Sequence, residues 1–182
     1  QDPELGFASS DLLFERFNLL DSPSWHFHVE KATRVTIRHM AVRLTCSPFK
    51  PGVSSEIIAA LDSQTDGIDF WGSHLHVHDV DVRVGDDCIV VKGNMDGSGV
   101  YSEHWLVENS TASGVGLSVG TVWQPGFLVN NVTFRNIVME STIKGIYVKM
   151  DNNGHRVRNL LYQNITIRGQ TAEVPVMIGP IN

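Results

Sequence analysis

Apolar residues recur along the chain in short alternating segments, which is the pattern of half-buried β-strands. Six of these segments have similar cores and begin at Leu12, Val35, Leu75, Trp105, Val132 and Leu160. Their successive starts are 23, 40, 30, 27 and 28 residues apart. A recurrence of this kind indicates a repeat architecture, in which each repeat buries its apolar face against its neighbours.

A second short apolar stretch follows most of these segments by about a dozen residues, at 88–92, 116–119, 145–149 and 174–178. Helical spacing is nearly absent, and only residues 54–61 are compatible with a short helix. Short strands at a regular period without helices are typical of a parallel β-helix. The sequence therefore predicts an all-β chain, with residues 1–182 forming a single parallel β-helix domain of about six coils.

The fifth position of each repeat is polar. It reads Arg16, His39, Asp79, Asn109, Asn136 and Asn164. Stacked in successive coils, these side chains could hydrogen-bond along the helix axis. We expect them to satisfy backbone groups that would otherwise be buried without a partner.

Composition narrows the possible partners. The 182 residues carry a formal net charge of −6 and no basic stripe, which argues against nucleic acid. No apolar run approaches the length of a membrane span, so we predict no membrane partner. The two cysteines, Cys46 and Cys88, are too few for a disulfide framework and lack zinc-ligand spacing. We predict no metal and no cofactor.

Two acidic motifs lie about twenty residues apart, each directly before a β-branched segment, at 65–69 (TDGID) and 85–88 (GDDC). A carboxylate beside buried apolar surface is unfavourable unless something compensates it. Repulsion between Asp86 and Asp87 should raise one of the two pKa values and retain a proton near neutral pH. One acid and one base are what glycoside hydrolysis needs, whereas a pair of ordinary Asx turns is the structural alternative.

If each repeat is one coil, Asp66 and the Asp86–Asp87 pair occupy neighbouring coils on the same face. Adjacent strands lie roughly 4.8 Å apart. Carboxyl groups that project from neighbouring coils could therefore have the separation of roughly 6.5–9.5 Å that admits a water molecule in an inverting glycosidase.

The two acidic motifs together resemble the paired signature of the polygalacturonase family, glycoside hydrolase family 28. Residues 20–26 (LDSPSWH) also resemble a segment upstream of those signatures, and the resemblance extends from about Leu12 to the end of the chain. It implies a right-handed parallel β-helix and a secreted enzyme that hydrolyses pectic polysaccharides with inversion. It also implies that Asp86 is the general acid and that Asp66 and Asp87 position and activate the water.

Two further motifs of the family are only partly present. Val115 stands where the family has a His within a glycine-rich motif, and Tyr147 stands where it has an Arg two residues before a retained Lys149. In the family the Arg and Lys grip a galacturonate carboxylate, and a phenol cannot replace a bidentate guanidinium. We therefore expect Lys149, Tyr147 and Asp69 to bind a substrate such as rhamnogalacturonan or modified galacturonan, rather than plain homogalacturonan.

Three alternatives remain open from the sequence. His74, His76 and His78 alternate along one predicted strand and could hold a metal, although an outward polar face explains them equally well. Trp71 could line a sugar subsite, and Lys92 and His104 are weaker candidates. The main rival function is a non-catalytic carbohydrate-binding or adhesin-like β-helix. We expect a monomer, and a fragment that lacks the terminal coils of its family.

Overall fold

The computed structural model describes residues 9–45, 64–93, 101–122, 125–150, 154–169 and 173–180. Within these ranges the chain forms strands and turns and no helix. The strands are β1 (Ser9–Glu15), β2 (Asn18–Leu20), β3 (Phe27–Arg38), β4 (Ala41–Arg43), β5 (Ile68–His78), β6 (Asp81–Arg83), β7 (Ile89–Val91), β8 (Tyr101–Gly114), β9 (Leu117–Val119), β10 (Leu128–Thr142), β11 (Ile146–Met150), β12 (Arg156–Arg168) and β13 (Val176–Pro180). The predicted helix at 54–61 and Cys46 lie outside the described residues.

The described strands pair in parallel, and their register follows the repeat. The six predicted repeat starts are direct partners along one ladder: Leu12, Val35, Leu75, Trp105, Val132 and Leu160. The prediction of a parallel β-helix is therefore confirmed. Among the described residues, no helix has the length and apolar character needed to cross a membrane.

The long strands bend at two corners in each coil, one on either side of the four-residue core segment. Both corners are occupied by exposed residues in the left-handed backbone region, with φ between 51° and 59°. The corner before the segment is Asp11, Arg34, His74, His104, Asn131 or Asn159, and the corner after it is Arg16, His39, Asp79, Asn109, Asn136 or Asn164. Asn, Asp and His are the non-glycine residues that tolerate this conformation best.

The second corner is the column that the sequence singled out, but its physical basis differs from the prediction. Its members are exposed, so they do not satisfy buried backbone groups. The three asparagines instead bond to one another: Asn136 Nδ2 donates to Asn109 Oδ1 at 3.2 Å, and Asn164 Nδ2 donates to Asn136 Oδ1 at 2.8 Å. Backbone conformation and a surface amide ladder explain the column.

The core lies between the faces of the coils, where apolar side chains from successive coils stack on one another. Val35, Leu75, Trp105 and Val132 are each 0–3% exposed. The ring of Phe70 packs edge-on against Trp105 with centroids 5.0 Å apart. Burial of this kind contributes roughly 25 cal/mol per Å² of apolar surface, so the stack holds each coil to the next.

A separate face carries the short strands β7, β9, β11 and β13, which pair in sequence and continue from the first residues of β5. Ile68, Ile89, Leu117 and Ile146 stack on its inner side. The turns that enter this face contain both acidic motifs, so the packing of one apolar column fixes where the aspartates lie.

Candidate active site

The turns before β5 and β7 stack directly on one another. The Gly67 N–H donates to the Asp87 carbonyl at 2.8 Å, and the Ile68 N–H donates to the Cys88 carbonyl at 2.9 Å. Gly67 is required here because a Cβ at this position would lie 2.4 Å from the Cys88 carbonyl oxygen. The stacking places Asp66 and Asp87 in neighbouring coils at the same edge of the face.

The glycine-rich motif at 114–120 supports the next turn through its backbone. The Val115 N–H donates to the Asp86 carbonyl at 2.8 Å, and the Gly116 carbonyl accepts from the Cys88 N–H at 3.0 Å. Gly116 has φ of 74°, and a Cβ there would lie 2.0 Å from the Gly145 carbonyl oxygen. These contacts do not use the Val115 side chain, so the turn keeps its geometry without the family's His.

A cleft of about 280 Å³ opens over these turns. It is lined by Trp25, His28, Gln64, Asp66, Asp86, Asp87, Lys92, Gly93, Thr121 and Lys149. The structure thus brings the three predicted catalytic aspartates and Lys149 to one site. Asp69, Tyr147 and Val115 are not among these lining residues.

Asp86 is half-buried and held by two backbone donors. The Asp87 N–H donates to its Oδ1 at 2.8 Å, and the Gln64 N–H donates to its Oδ2 at 3.0 Å. One donor comes from its own turn and the other from the preceding coil. The two bonds fix the orientation of the carboxyl group at the cleft.

Asp66 and Asp87 are almost fully buried, at 3% and 1% exposure, and share the ammonium group of Lys92. The Lys92 Nζ lies 2.9 Å from Asp66 Oδ2 and 3.0 Å from Asp87 Oδ2. Lys149 adds a second cation, with its Nζ 2.6 Å from Asp87 Oδ2. Sequence reasoning gave Lys92 little weight, yet it lies at the centre of the cluster. The sequence feature that points to Lys92 is its position directly after β7, because the chain reaches the cleft again at the end of that strand.

The two buried carboxyl groups have opposite pKa shifts. Burial raises the pKa of Asp66 to about 7, with Lys92 opposing the shift and Asp69, Asp87 and Asp86 adding to it. Burial also acts to raise the pKa of Asp87, but the Lys149 and Lys92 ammonium groups outweigh it and hold this pKa below its ordinary value. The direction for Asp87 is therefore opposite to the one that repulsion within the acidic pair would produce, and the carboxyl group with the raised pKa is Asp66.

Asp69 lies beneath the cleft. It is fully buried, and its carboxylate is 4.0 Å from Lys92 Nζ and 3.8 Å from His28 Nδ1. The pKa of His28 is raised, chiefly by Asp69, with Glu30 adding to the shift. Because His28 lines the cleft and its ring packs 4.8 Å from that of Trp25, Asp69 influences the cleft through the His28 imidazole.

Tyr147 also lies behind the cleft. It is 5% exposed, and the Nζ atoms of Lys144 and Lys149 lie 4.9 Å and 5.3 Å from its ring centroid. Tyr147 and Lys149 are two residues apart on β11 and therefore project to the same side of the strand. The structure places Tyr147 where it can support Lys149.

The three predicted histidines do not converge on one point. His74 occupies a corner and stacks on His104 with ring centroids 4.8 Å apart. His76 and His78 contact each other and pair with Glu108 at 2.9 Å and Asp79 at 2.6 Å. In the described parts of the chain no group of three or more acidic, His or Cys side chains is arranged to hold a metal ion. Cys88 and Trp71 are buried in the core.

Comparison with known proteins identifies the class. The sequence profile of Glycosyl hydrolases family 28 matches residues 8–179. Because the match spans nearly all of the chain, the chain belongs to this family.

Several relatives from Aspergillus niger are similar in sequence. The chain is 28% identical to rhamnogalacturonase B over 93% of its own length and 26% of that protein's. It is 28% identical to rhamnogalacturonase A, over 93% and 32% of the two lengths, and 27% identical to a probable rhamnogalacturonase C, over 84% and 28%. The chain thus spans about a quarter to a third of the length of these relatives.

A solved structure agrees with the fold. The chain superimposes on the crystal structure of a hyperthermoactive exopolygalacturonase from Thermotoga maritima with a TM-score of 0.67 and 23% identity. The match covers 87% of this chain and 36% of the other. At this identity the likeness supports the β-helix alone.

Proposed function

We propose that this protein hydrolyses glycosidic bonds of pectic polysaccharides with inversion at the anomeric carbon. The observation that carries the proposal is the cleft in which Asp66, Asp86 and Asp87 lie together with two ammonium groups. Membership of a family of glycosyl hydrolases supports it. An exposed pair of Asx turns would need neither burial nor paired cations.

The proposed reaction needs one proton donor and one proton acceptor on opposite sides of the scissile bond. Asp86 gives its proton to the leaving glycosidic oxygen as that bond breaks. A water attacks the anomeric carbon from the other face and loses a proton to the Asp66–Asp87 pair. Lys149 and Lys92 keep Asp87 ionised and so able to accept, while Asp66 orients the water. The Asp66–Asp87 pair then releases its proton to solvent and Asp86 takes one up from solvent, which restores the resting state.

The proposed substrate is rhamnogalacturonan or a modified galacturonan. The similar proteins described above are named as rhamnogalacturonases, one of them as probable. In this chain Tyr147 replaces the Arg with which the family grips a galacturonate carboxylate, and Val115 replaces the His of the glycine-rich motif. Lys149 lines the cleft and is the proposed contact for a uronate carboxylate. Tyr147 and Asp69 support the cleft's cations from behind, and the Trp25 ring offers an apolar face for a sugar.

The remaining features follow from the proposed substrate. Pectic polymers are extracellular, so we propose that the protein is secreted and acts as a monomer without a metal or a cofactor. We further propose that residues 1–182 form a single β-helix domain.

A reducing-sugar assay on a panel of pectic polymers tests the proposal. We expect release of reducing ends from rhamnogalacturonan or methyl-esterified galacturonan faster than from plain homogalacturonan. Proton NMR of the first-formed product should show the inverted anomer. Faster cleavage of plain homogalacturonan would refute the substrate assignment, and a retained anomer would refute the mechanism. Binding to a polymer without any hydrolysis would instead support a non-catalytic scaffold.

A further inference from the structure

We propose that Lys92 is a positioning residue for hydrolysis, which acts by holding Asp66 and Asp87 on a single ammonium group and thereby sets the acid limb of the pH–rate profile. The inference builds on the proposed function, because it assigns a role toward the two carboxylates that are proposed to prepare the water. It is a role for a residue of the cleft other than the acid and the base.

The geometry of Lys92 differs from that of a side chain that only neutralises charge. Its Nζ lies at nearly equal distances from the two carboxylates, 2.9 Å and 3.0 Å. Its side chain is 19% exposed, whereas those of Asp66 and Asp87 are 4% and 1% exposed. The Lys92 backbone N–H donates to the Phe70 carbonyl of the preceding coil at 3.0 Å, and this bond fixes the backbone position from which the Lys92 side chain extends. One cation therefore links two turns from neighbouring coils.

Lys149 cannot perform the same task from its place in the structure. Its Nζ lies 2.6 Å from Asp87 Oδ2 and 5.3 Å from the Tyr147 ring centroid, and it approaches from β11, beyond the coils that carry the two aspartates. A substrate carboxylate could draw Lys149 away and leave Asp66 and Asp87 joined through Lys92. The two lysines thus have different proposed roles: Lys149 contacts the substrate carboxylate, and Lys92 holds the Asp66–Asp87 pair that accepts the proton.

The charges around Lys92 explain why removal of its ammonium group should raise the pKa values of both Asp66 and Asp87. Asp66, Asp69 and Asp87 lie within 4.0 Å of Nζ, from the turn before β5, from β5 and from the turn before β7. Lys149 lies beyond Asp87 and His28 beyond Asp69, while Asp86 adds negative charge near Asp66. Removing the ammonium would leave buried carboxylates without their shared counter-ion, which strongly favours protonation.

The test compares Lys92→Met and Lys92→Arg with the unmodified protein, over the full pH range of activity. In Lys92→Met we expect kcat to fall about 10²-fold with little change in KM, as for a misplaced reacting group. We expect the acid limb to move to higher pH by about one unit or more, since an adjacent cation lowers a carboxyl pKa by this amount. A rise in KM with an unmoved acid limb would mean that Lys92 contacts substrate, and would overturn the proposal.

A control variant, Lys144→Met, and the conservative variant, Lys92→Arg, keep the test decisive. Lys144→Met is the matched control, because Lys144 is similarly buried and ion-paired, with its Nζ 2.5 Å from Glu173, and we expect its acid limb to stay where it is in the unmodified protein. Lys92→Arg keeps the charge but not the single shared nitrogen, so we expect a lower kcat with an acid limb near that of the unmodified protein. If Lys92→Met does not fold, full activity in Lys92→Arg would overturn the positioning role.

A measurement without turnover separates this inference from the proposed function. Carbon-13 NMR of the aspartate carboxyl groups should show the Asp66 titration at higher pH in Lys92→Met than in the unmodified protein. An unchanged titration would overturn the proposal even if the enzyme is active. A shifted titration in a protein that cleaves no pectic polymer would support the role of Lys92 in the cluster and refute the proposed function alone.

Discussion

The acidic turns and the asparagine corners are two polar columns of the same β-helix. In each column one side chain per coil stands near its counterpart in the next coil. Asp66 and Asp87 are joined through the Lys92 ammonium, whereas Asn109, Asn136 and Asn164 are joined amide to amide. The first column is buried and charged, and the second is exposed and neutral.

This difference shows what repetition does and does not determine. Stacking alone brings like side chains together, and at the surface it yields a weak ladder, because exposed hydrogen bonds compete with water. In a buried turn the same stacking brings carboxylates together where they are costly, so that lysines must accompany them. A stacked polar column is therefore a candidate site only where burial and counter-ions come with it.

The largest expected effect is the loss of activity in Asp86→Asn. A placed proton donor contributes roughly 10²–10⁴-fold, and an amide cannot supply the proton, so kcat on the best pectic polymer should fall by about that factor. The amide oxygen can keep one of the two backbone bonds, from the Asp87 N–H or the Gln64 N–H, and loses the other. Far-UV circular dichroism should still be unchanged, because the substitution lies in a turn and leaves the strands intact.

The matched control for Asp86→Asn is Asp79→Asn, which makes the same chemical change in the exposed corner column. Asp79 has φ of 53°, a conformation that Asn tolerates, and it lies outside the cleft lining. We expect near-normal activity. If both variants lose activity equally, or if Asp86→Asn remains fully active, the buried turns do not form a catalytic site.

The sequence contained most of the fold because the repeat and the burial pattern report the same geometry. The starts at Leu12, Val35, Leu75, Trp105, Val132 and Leu160 are direct ladder partners, as the repeat predicts. The corner before each segment is harder to predict than the corner after it, because Asn occupies two of its six positions and three of the six positions after the segment. Both corners are of mixed residue type and share chiefly a left-handed backbone conformation.

The site was less predictable than the fold, for a reason of side-chain reach. The two acidic motifs and the strands that follow them determine the backbone positions of Asp66, Asp86 and Asp87. Lys92 and Lys149 both reach Asp87 Oδ2. This convergence depends on how two long side chains cross between coils, which the sequence does not reveal. Asp69 and Tyr147 are buried behind the cleft rather than exposed in it. The local sequence pattern carries little information about how deeply a side chain is buried.

An intermediate effect is expected on the pH dependence of stability in Asp66→Asn. The folded-state pKa of Asp66 is raised to about 7, so between about pH 4 and pH 7 the unfolded chain releases a proton that the folded chain keeps. The stability of the unmodified protein therefore falls across this window. The variant lacks the group, so its Tm relative to the unmodified protein should rise from pH 4 to pH 7.

Asp87→Asn provides the opposite sign within the same column. The folded-state pKa of Asp87 is lowered, so its contribution to stability is present above the ordinary carboxyl pKa and is lost as the pH falls through the folded-state pKa. The Tm of Asp87→Asn relative to the unmodified protein should therefore decline as the pH rises toward about 4 and change little above that value. Parallel pH profiles for the two variants would contradict the assignment of opposite shifts.

The smallest effect is expected in the exposed column, at Asn136. Asn136→Ala removes both amide bonds of the ladder and places a Cβ-bearing residue without a polar side chain at φ of 54°, which should reduce the free energy of unfolding by about 1–2 kcal/mol. Asn136→Gly removes the same bonds but suits the corner, so it should be less destabilising than Ala. Urea denaturation of both variants measures the difference, and activity should be unchanged in either. If Gly is as destabilising as Ala, the amide ladder rather than the backbone conformation would account for the asparagines at this corner.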